Sequence, residues 1–84
     1  MKYVKRQYLI DIRERLGMSR RAFAKALLND MMYYQYIEAG RGSPGREIIF
    51  AHRVAKLCGC DYLDIIKLEY EYKFQKEFET NNEK

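Results

Sequence analysis

Residues 16–40 read LGMSRRAFAKALLNDMMYYQYIEAG, and this stretch decides the fold. Gly17 closes whatever helix precedes it, because glycine most readily takes the left-handed conformation of a C-terminal cap. Ser19 follows as an N-cap, its hydroxyl able to accept from an amide of the next turn. Phe23, Ala24 and Leu27 then recur at helical spacing along one side of a short second helix. Asn29-Asp30 interrupts that helix. Asp30 caps a third one, Met31 to Ala39, in which Tyr34 and Ile37 fall three apart on one inward face.

The same periodicity extends in both directions. Upstream, Leu9, Ile12 and Leu16 lie at i, i+3 and i+7 and make the apolar stripe of a first helix. Downstream, Gly40-Arg41-Gly42-Ser43-Pro44-Gly45 is the one segment with loop composition. A fourth helix follows, with Ile49, Phe50, Val54 and Leu57 or Cys58 inward, closed by Gly59. Asp61 caps a fifth helix that meets no stop signal until about Thr80, and residues 80–84 read as a disordered tail. Period-2 alternation is nearly absent. The expectation is an all-α chain of five helices in one domain, without internal repeats.

Length and charge narrow the function classes. A chain of 84 residues suits one small domain and leaves little room for an enclosed catalytic pocket. It holds no apolar run long enough for a membrane span, and its first residues do not read as a signal peptide. Two cysteines are too few for a disulfide scaffold, so a reducing cytoplasm is the expected setting. Residues 1–60 carry 12 Lys and Arg against 5 Asp and Glu, whereas residues 61–84 carry 4 Lys against 7 Asp and Glu. A basic body with a mildly acidic end suits a domain that binds a polyanion, although a plain solvated basic surface has the same composition.

The order Leu16-Gly17-Met18-Ser19, Phe23-Ala24, Ile37-Glu38-Ala39-Gly40, Pro44, Ala55-Lys56 and Gly59 resembles the helix-turn-helix family of phage repressors and Cro proteins, the XRE-like family. The likeness runs from about Leu9 to Ile66. It implies a compact five-helix repressor-like bundle whose second and third helices form the DNA-docking unit. On that pattern residues 1–66 make the DNA-binding domain, and 67–79 extend the fifth helix for dimerisation.

The resemblance also implies roles. Arg13 and Glu38 match a pair that forms an internal salt bridge tying the first helix to the third. Arg20 matches a phosphate-contacting position at the start of the second helix, and Arg21, one residue further round, either joins it or stays solvated. Arg41 and Arg46 sit in a segment that lies along the DNA backbone. Met31, Met32 and Tyr36 match the base-reading positions, with Tyr33 and Gln35 flanking them, while Tyr34 matches a core position. Lys2, Lys5 and Arg6 read as a solvated terminus, the alternative being a basic arm.

The chain departs from the pattern in places. Base-reading positions usually carry Gln, Ser, Arg or Thr, and here they are apolar or aromatic. Met and Tyr can pack on the thymine methyl, and Gln35 offers the amide that suits adenine. The same side chains also suit a protein interface. The turn carries Leu28 and Asn29 where the family has Gly and a small apolar residue, and the segment from Pro44 to Ala55 is about two residues long.

No catalytic or metal pattern emerges. Cys58-Gly59-Cys60 lacks further zinc ligands, His52 being the only histidine, and both cysteines match inward apolar positions. The chain reads as a non-enzyme without cofactor, membrane partner or small-molecule ligand. The fifth helix carries Leu63, Ile66, Tyr70, Phe74 and Phe78 in one stripe that outruns the domain body. Ile66, Tyr70, Phe74 and Phe78 are therefore the expected homodimer surface. The expected function is a sequence-specific double-stranded DNA-binding regulator of phage, plasmid or mobile-element type. The alternative is a protein-interaction module on the same scaffold, such as an antitoxin, antirepressor or polymerase-associated factor.

Overall fold

The computed structural model describes residues 3–82 and contains five helices: α1 (Gln7–Arg15), α2 (Arg20–Ala26), α3 (Met31–Glu38), α4 (Glu47–Cys58) and α5 (Tyr62–Asn82). No strand occurs among the described residues. The stop and start signals act as chemistry predicts. Gly17 takes φ +69° while its amide and that of Met18 close α1 onto Glu14 and Arg13 carbonyls. Ser19 Oγ accepts from the Ala22 amide, and Asp30 Oδ2 accepts from those of Met32 and Tyr33.

The turn between α2 and α3 keeps the same closing geometry without a glycine. The Leu28 amide bonds to the Lys25 carbonyl and the Asn29 amide to that of Ala24, with Leu28 at φ +60°. Leu28 is the one non-glycine residue with positive φ among those described, and its side chain is 75 % exposed. A left-handed leucine costs about 1–2 kcal/mol, offset by nothing it packs against. Asn29 adds to this, its Nδ2 buried without an acceptor among the described residues.

The core gathers Leu9 and Ile12 from α1, Phe23, Ala24 and Leu27 from α2, Tyr34 and Ile37 from α3, Phe50, Ala51, Val54 and Ala55 from α4, and Ile65 from α5. Phe23 meets Tyr34 edge to face, ring centroids 5.4 Å apart, at the α2–α3 contact. Three residues expected inward lie at the margin instead: Leu16 follows the end of α1, Ile49 is 41 % exposed, and Cys60 is exposed. Cys60 stands beyond the α4 cap, where the chain has already left the core face.

Helix α5 corrects the expected layout most. Its inward seam is Ile65, Glu69 and Tyr72, displaced from the stripe that hydropathy alone suggests. The tail expected from Thr80 is helical as far as Asn82, and residues 83 and 84 lie outside the described residues. Contacts between α5 and the body continue past Ile66 as far as Lys76. Lys73 pairs with Glu47 at 2.6 Å, and Lys76 Nζ donates to the Gly40 carbonyl. Tyr72 Oη donates to the Val4 carbonyl at 2.8 Å.

Arg6, read from sequence as part of a solvated terminus, is instead among the most buried side chains, 1 % exposed. Its guanidinium binds both carboxylate oxygens of Glu69, donates from Nη1 to the Ile37 carbonyl at 2.7 Å, and lies 4.5 Å from the centre of the Tyr72 ring. Tyr8 Oη donates to Glu69 as well. The extended N-terminal segment is thereby fastened across α3 and α5. Gly40 admits this crossing: a Cβ there would stand 1.9 Å from the Val4 carbonyl oxygen.

Candidate nucleic-acid interface

The candidate surface is the outward side of α3 with its neighbouring loops. Tyr34, Ile37 and Glu38 turn α3 toward the core, which leaves Met32, Tyr33, Gln35 and Tyr36 exposed and Met31 half-buried. Asp30 caps the helix start, so the first turn is fixed.

Glu38 holds this helix in place. Its carboxylate, 3 % exposed, accepts from Arg13 Nε at 3.0 Å, Arg20 Nε at 2.8 Å and Tyr34 Oη at 2.6 Å. Arg13 reaches further, donating from Nη1 to the Met18 carbonyl. One carboxylate therefore joins α1, α2 and α3. Burial alone would raise its pKa, but donation from Arg20, Tyr34 and Arg13 outweighs that and holds it below the ordinary glutamate value. The Tyr34 hydroxyl shifts the other way, pushed up by burial and then by its bond to the Glu38 carboxylate. Arg13 stays firmly charged, the glutamate overcoming the cost of desolvation.

Arg20, which the resemblance assigns to a phosphate, already has a partner within the protein. Its Nε is committed to Glu38, while the side chain remains 53 % exposed. Sequence reasoning missed this second partner because Arg20 and Glu38 belong to different helices, and only helix packing brings them together. Arg21 and Lys25 are exposed on α2.

Two tyrosines of α3 are also engaged. The Tyr33 hydroxyl accepts from the Gly45 amide at 3.0 Å. The Tyr36 ring lies against Gly42, where a Cβ would meet Cε2 at 3.1 Å. The 41–46 loop is consequently pinned to the outward side of α3, with Arg41 and Arg46 exposed on it. Arg41 lies 5.2 Å from the centre of the Tyr3 ring. Glycine at 42 permits that close approach, a requirement not visible in the spacing of the sequence. Behind the loop, Asn29, Tyr33, Pro44, Ile49 and Phe50 border an open cleft of about 190 Å³. Arg53, half-buried on α4, donates to the Leu27 carbonyl and so braces the end of α2.

The expected dimer residues fall on the other side of α5 from its inward seam. Tyr70, Phe74 and Phe78 are 61, 74 and 62 % exposed, while Ile66 packs at the core edge. Among the described residues no cluster of three metal-ligating side chains occurs, and no helix is long and apolar enough to cross a membrane. His52 is exposed, its ring stacked on Tyr62 at 3.9 Å. No protein-family model, curated protein or solved structure matches the chain.

Proposed function

We propose that this protein is a double-stranded DNA-binding regulator of the helix-turn-helix, XRE-like kind, with α2 and α3 as the docking unit and α3 lying in the major groove. The observation that carries this reading is the pinned loop. Tyr33 and Tyr36 fasten the segment bearing Arg41 and Arg46 to the exposed side of α3, so base-facing and phosphate-facing groups share one rigid surface. Met32 and Gln35 supply contacts to base edges, Met32 to a thymine methyl and Gln35 to adenine. Tyr33, expected to flank the base-reading residues, acts as a positioning residue for the loop. Arg20, oriented by Glu38 through Nε, turns its remaining donors to the backbone, and Arg21 adds charge.

A homodimer joined along Tyr70, Phe74 and Phe78 would set two α3 helices about 34 Å apart, on a near-palindromic operator. Occlusion of a promoter by such a dimer is sufficient for repression.

The deciding experiment selects duplexes bound by the full chain from a random pool at two salt concentrations. Enrichment of one near-palindromic motif is expected. Recovery of unenriched sequence at low salt, with none at high salt, would reduce the surface to a generic polyanion binder. A second reading, a protein-binding module, draws on Leu28, Met32 and Tyr36, which are 75, 76 and 49 % exposed. It predicts no duplex enrichment at either salt concentration.

A further inference from the structure

We propose that Cys58 and Cys60 form a dithiol redox site that closes an intramolecular disulfide by exchange with a low-molecular-weight disulfide. The inference is independent of the DNA-binding reading, since neither cysteine belongs to the α3 surface.

The geometry comes from the end of α4. Gly59 takes φ +70°, and the Cys60 amide donates back to the Ala55 carbonyl at 3.1 Å. This reversal places the side chains of Cys58 and Cys60 on one side, with the two Sγ atoms 2.9 Å apart. The following helix start is fixed too, Asp61 Oδ1 accepting from the Leu63 amide. The sulfurs are held between two capped helix ends and need to close by less than about 1 Å to reach a disulfide bond length near 2.05 Å. Cys60 is exposed and Cys58 half-buried. Both border an open groove of about 320 Å³ shared with Arg15, Leu16, Asp64 and Leu68. That groove admits a small disulfide, and Arg15 is placed to meet its carboxylates. Among the described residues no group of three ligating side chains includes these sulfurs, so they do not make a zinc site.

The chemistry balances in two exchange steps. The Cys60 thiolate attacks one sulfur of the small disulfide, forming a mixed disulfide and releasing one small thiolate. The Cys58 sulfur, as thiolate, then attacks Cys60 Sγ and releases the second. The dithiol loses two electrons and two protons, and the small disulfide is reduced to two thiols. The hydrogen bond shared with Cys58, then burial, pushes the Cys60 thiol up to about 11, so neutral solution holds little thiolate. The first step should accelerate about tenfold per pH unit below that value.

The test equilibrates the full chain with mixtures of reduced and oxidised glutathione under anaerobic conditions, traps free thiols by alkylation and reads intact mass. The expected product is monomeric, lighter by two hydrogens and unalkylated. C58S and C60S should each give no such species and stop at the glutathione adduct. A second probe, phenylarsine oxide, requires two thiols per arsenic and should bind the reduced chain one to one, losing that uptake in either variant. Oxidised wild-type protein appearing only as glutathione adduct or as intermolecular dimer overturns the proposal, as does the absence of arsenical uptake.

Discussion

Arg6 and Glu69 stand 63 positions apart and meet through two parallel hydrogen bonds, Nε to Oε1 at 2.9 Å and Nη2 to Oε2 at 2.8 Å. Both side chains are nearly sealed from solvent, at 1 % and 4 % exposure. Such a pair yields little net stability against an apolar replacement, because desolvation offsets attraction. Its consequence is positional. With Ile65 and Tyr72 it marks the side of α5 that faces the bundle, leaving Tyr70, Phe74 and Phe78 outward.

Removing one member strands the other. R6M should lower unfolding free energy by about 3–5 kcal/mol in denaturant titration, and E69L by a similar amount. The R6M/E69L double variant should recover part of that loss, since no charge is left buried. A single-variant loss under about 1 kcal/mol would mark the pair as behaving like a surface ion pair.

Glu38 predicts an acid limb of stability. Its folded pKa is depressed, so its contribution is complete above the ordinary value of 4.5 and is lost as pH falls through the lower folded value. Wild-type protein should therefore destabilise steeply below about pH 4.5, measured by thermal melts across pH. E38Q should be less stable at pH 7 by about 3 kcal/mol, with a flatter acid limb. An unchanged acid limb in E38Q would assign the effect to other carboxylates.

Leu28 predicts a stabilising change. L28G removes a left-handed leucine whose side chain is largely in water, and gives back part of the gain through the freer unfolded chain. The net expectation is about 0.5–1 kcal/mol, or a melting temperature higher by roughly 3–6 °C. L28A should give no such gain, because alanine keeps the Cβ that makes positive φ costly. Equal melting temperatures for L28G and L28A would show that the turn carries no conformational strain.

If the proposed DNA-binding reading holds, Arg41 and Arg46 set the salt dependence of that binding. Each R→A change should weaken binding uniformly across sequences and reduce the slope of log affinity against log salt by about 0.9. M32A should change base preference and leave that slope in place. Loss of preference without loss of slope in R41A would exchange the roles assigned to loop and helix.

The five helices and the ends of the first four were legible because capping is local chemistry: Gly17, Ser19, Asp30 and Gly59 act on amides and carbonyls within a few residues. The inward pairing of Tyr34 and Ile37 was legible from a spacing of three. The Arg13–Glu38 contact came from the resemblance alone, whereas the addition of Arg20 to the same carboxylate depends on how α2 and α3 cross, and that of Tyr34 is a contact four residues apart within α3. Hydropathy placed the α5 stripe on Leu63, Ile66, Tyr70, Phe74 and Phe78, and overlooked a seam containing a glutamate. A charged residue reads as solvated until its partner is known.

The sequence by itself determined where this chain is helical, where the first four helices stop, and that its basic residues concentrate in the first 60 positions. Periodicity, caps and charge are properties of neighbouring residues, and need no fold to act. Only the tertiary structure decided that Arg6 is interior, that Arg20 belongs to Glu38, that Tyr33 and Tyr36 hold the 41–46 loop, and that Cys58 and Cys60 face one another. Most of those relations join groups distant along the chain. Whether a buried charge or hydroxyl is tolerated depends on a partner that packing alone can deliver.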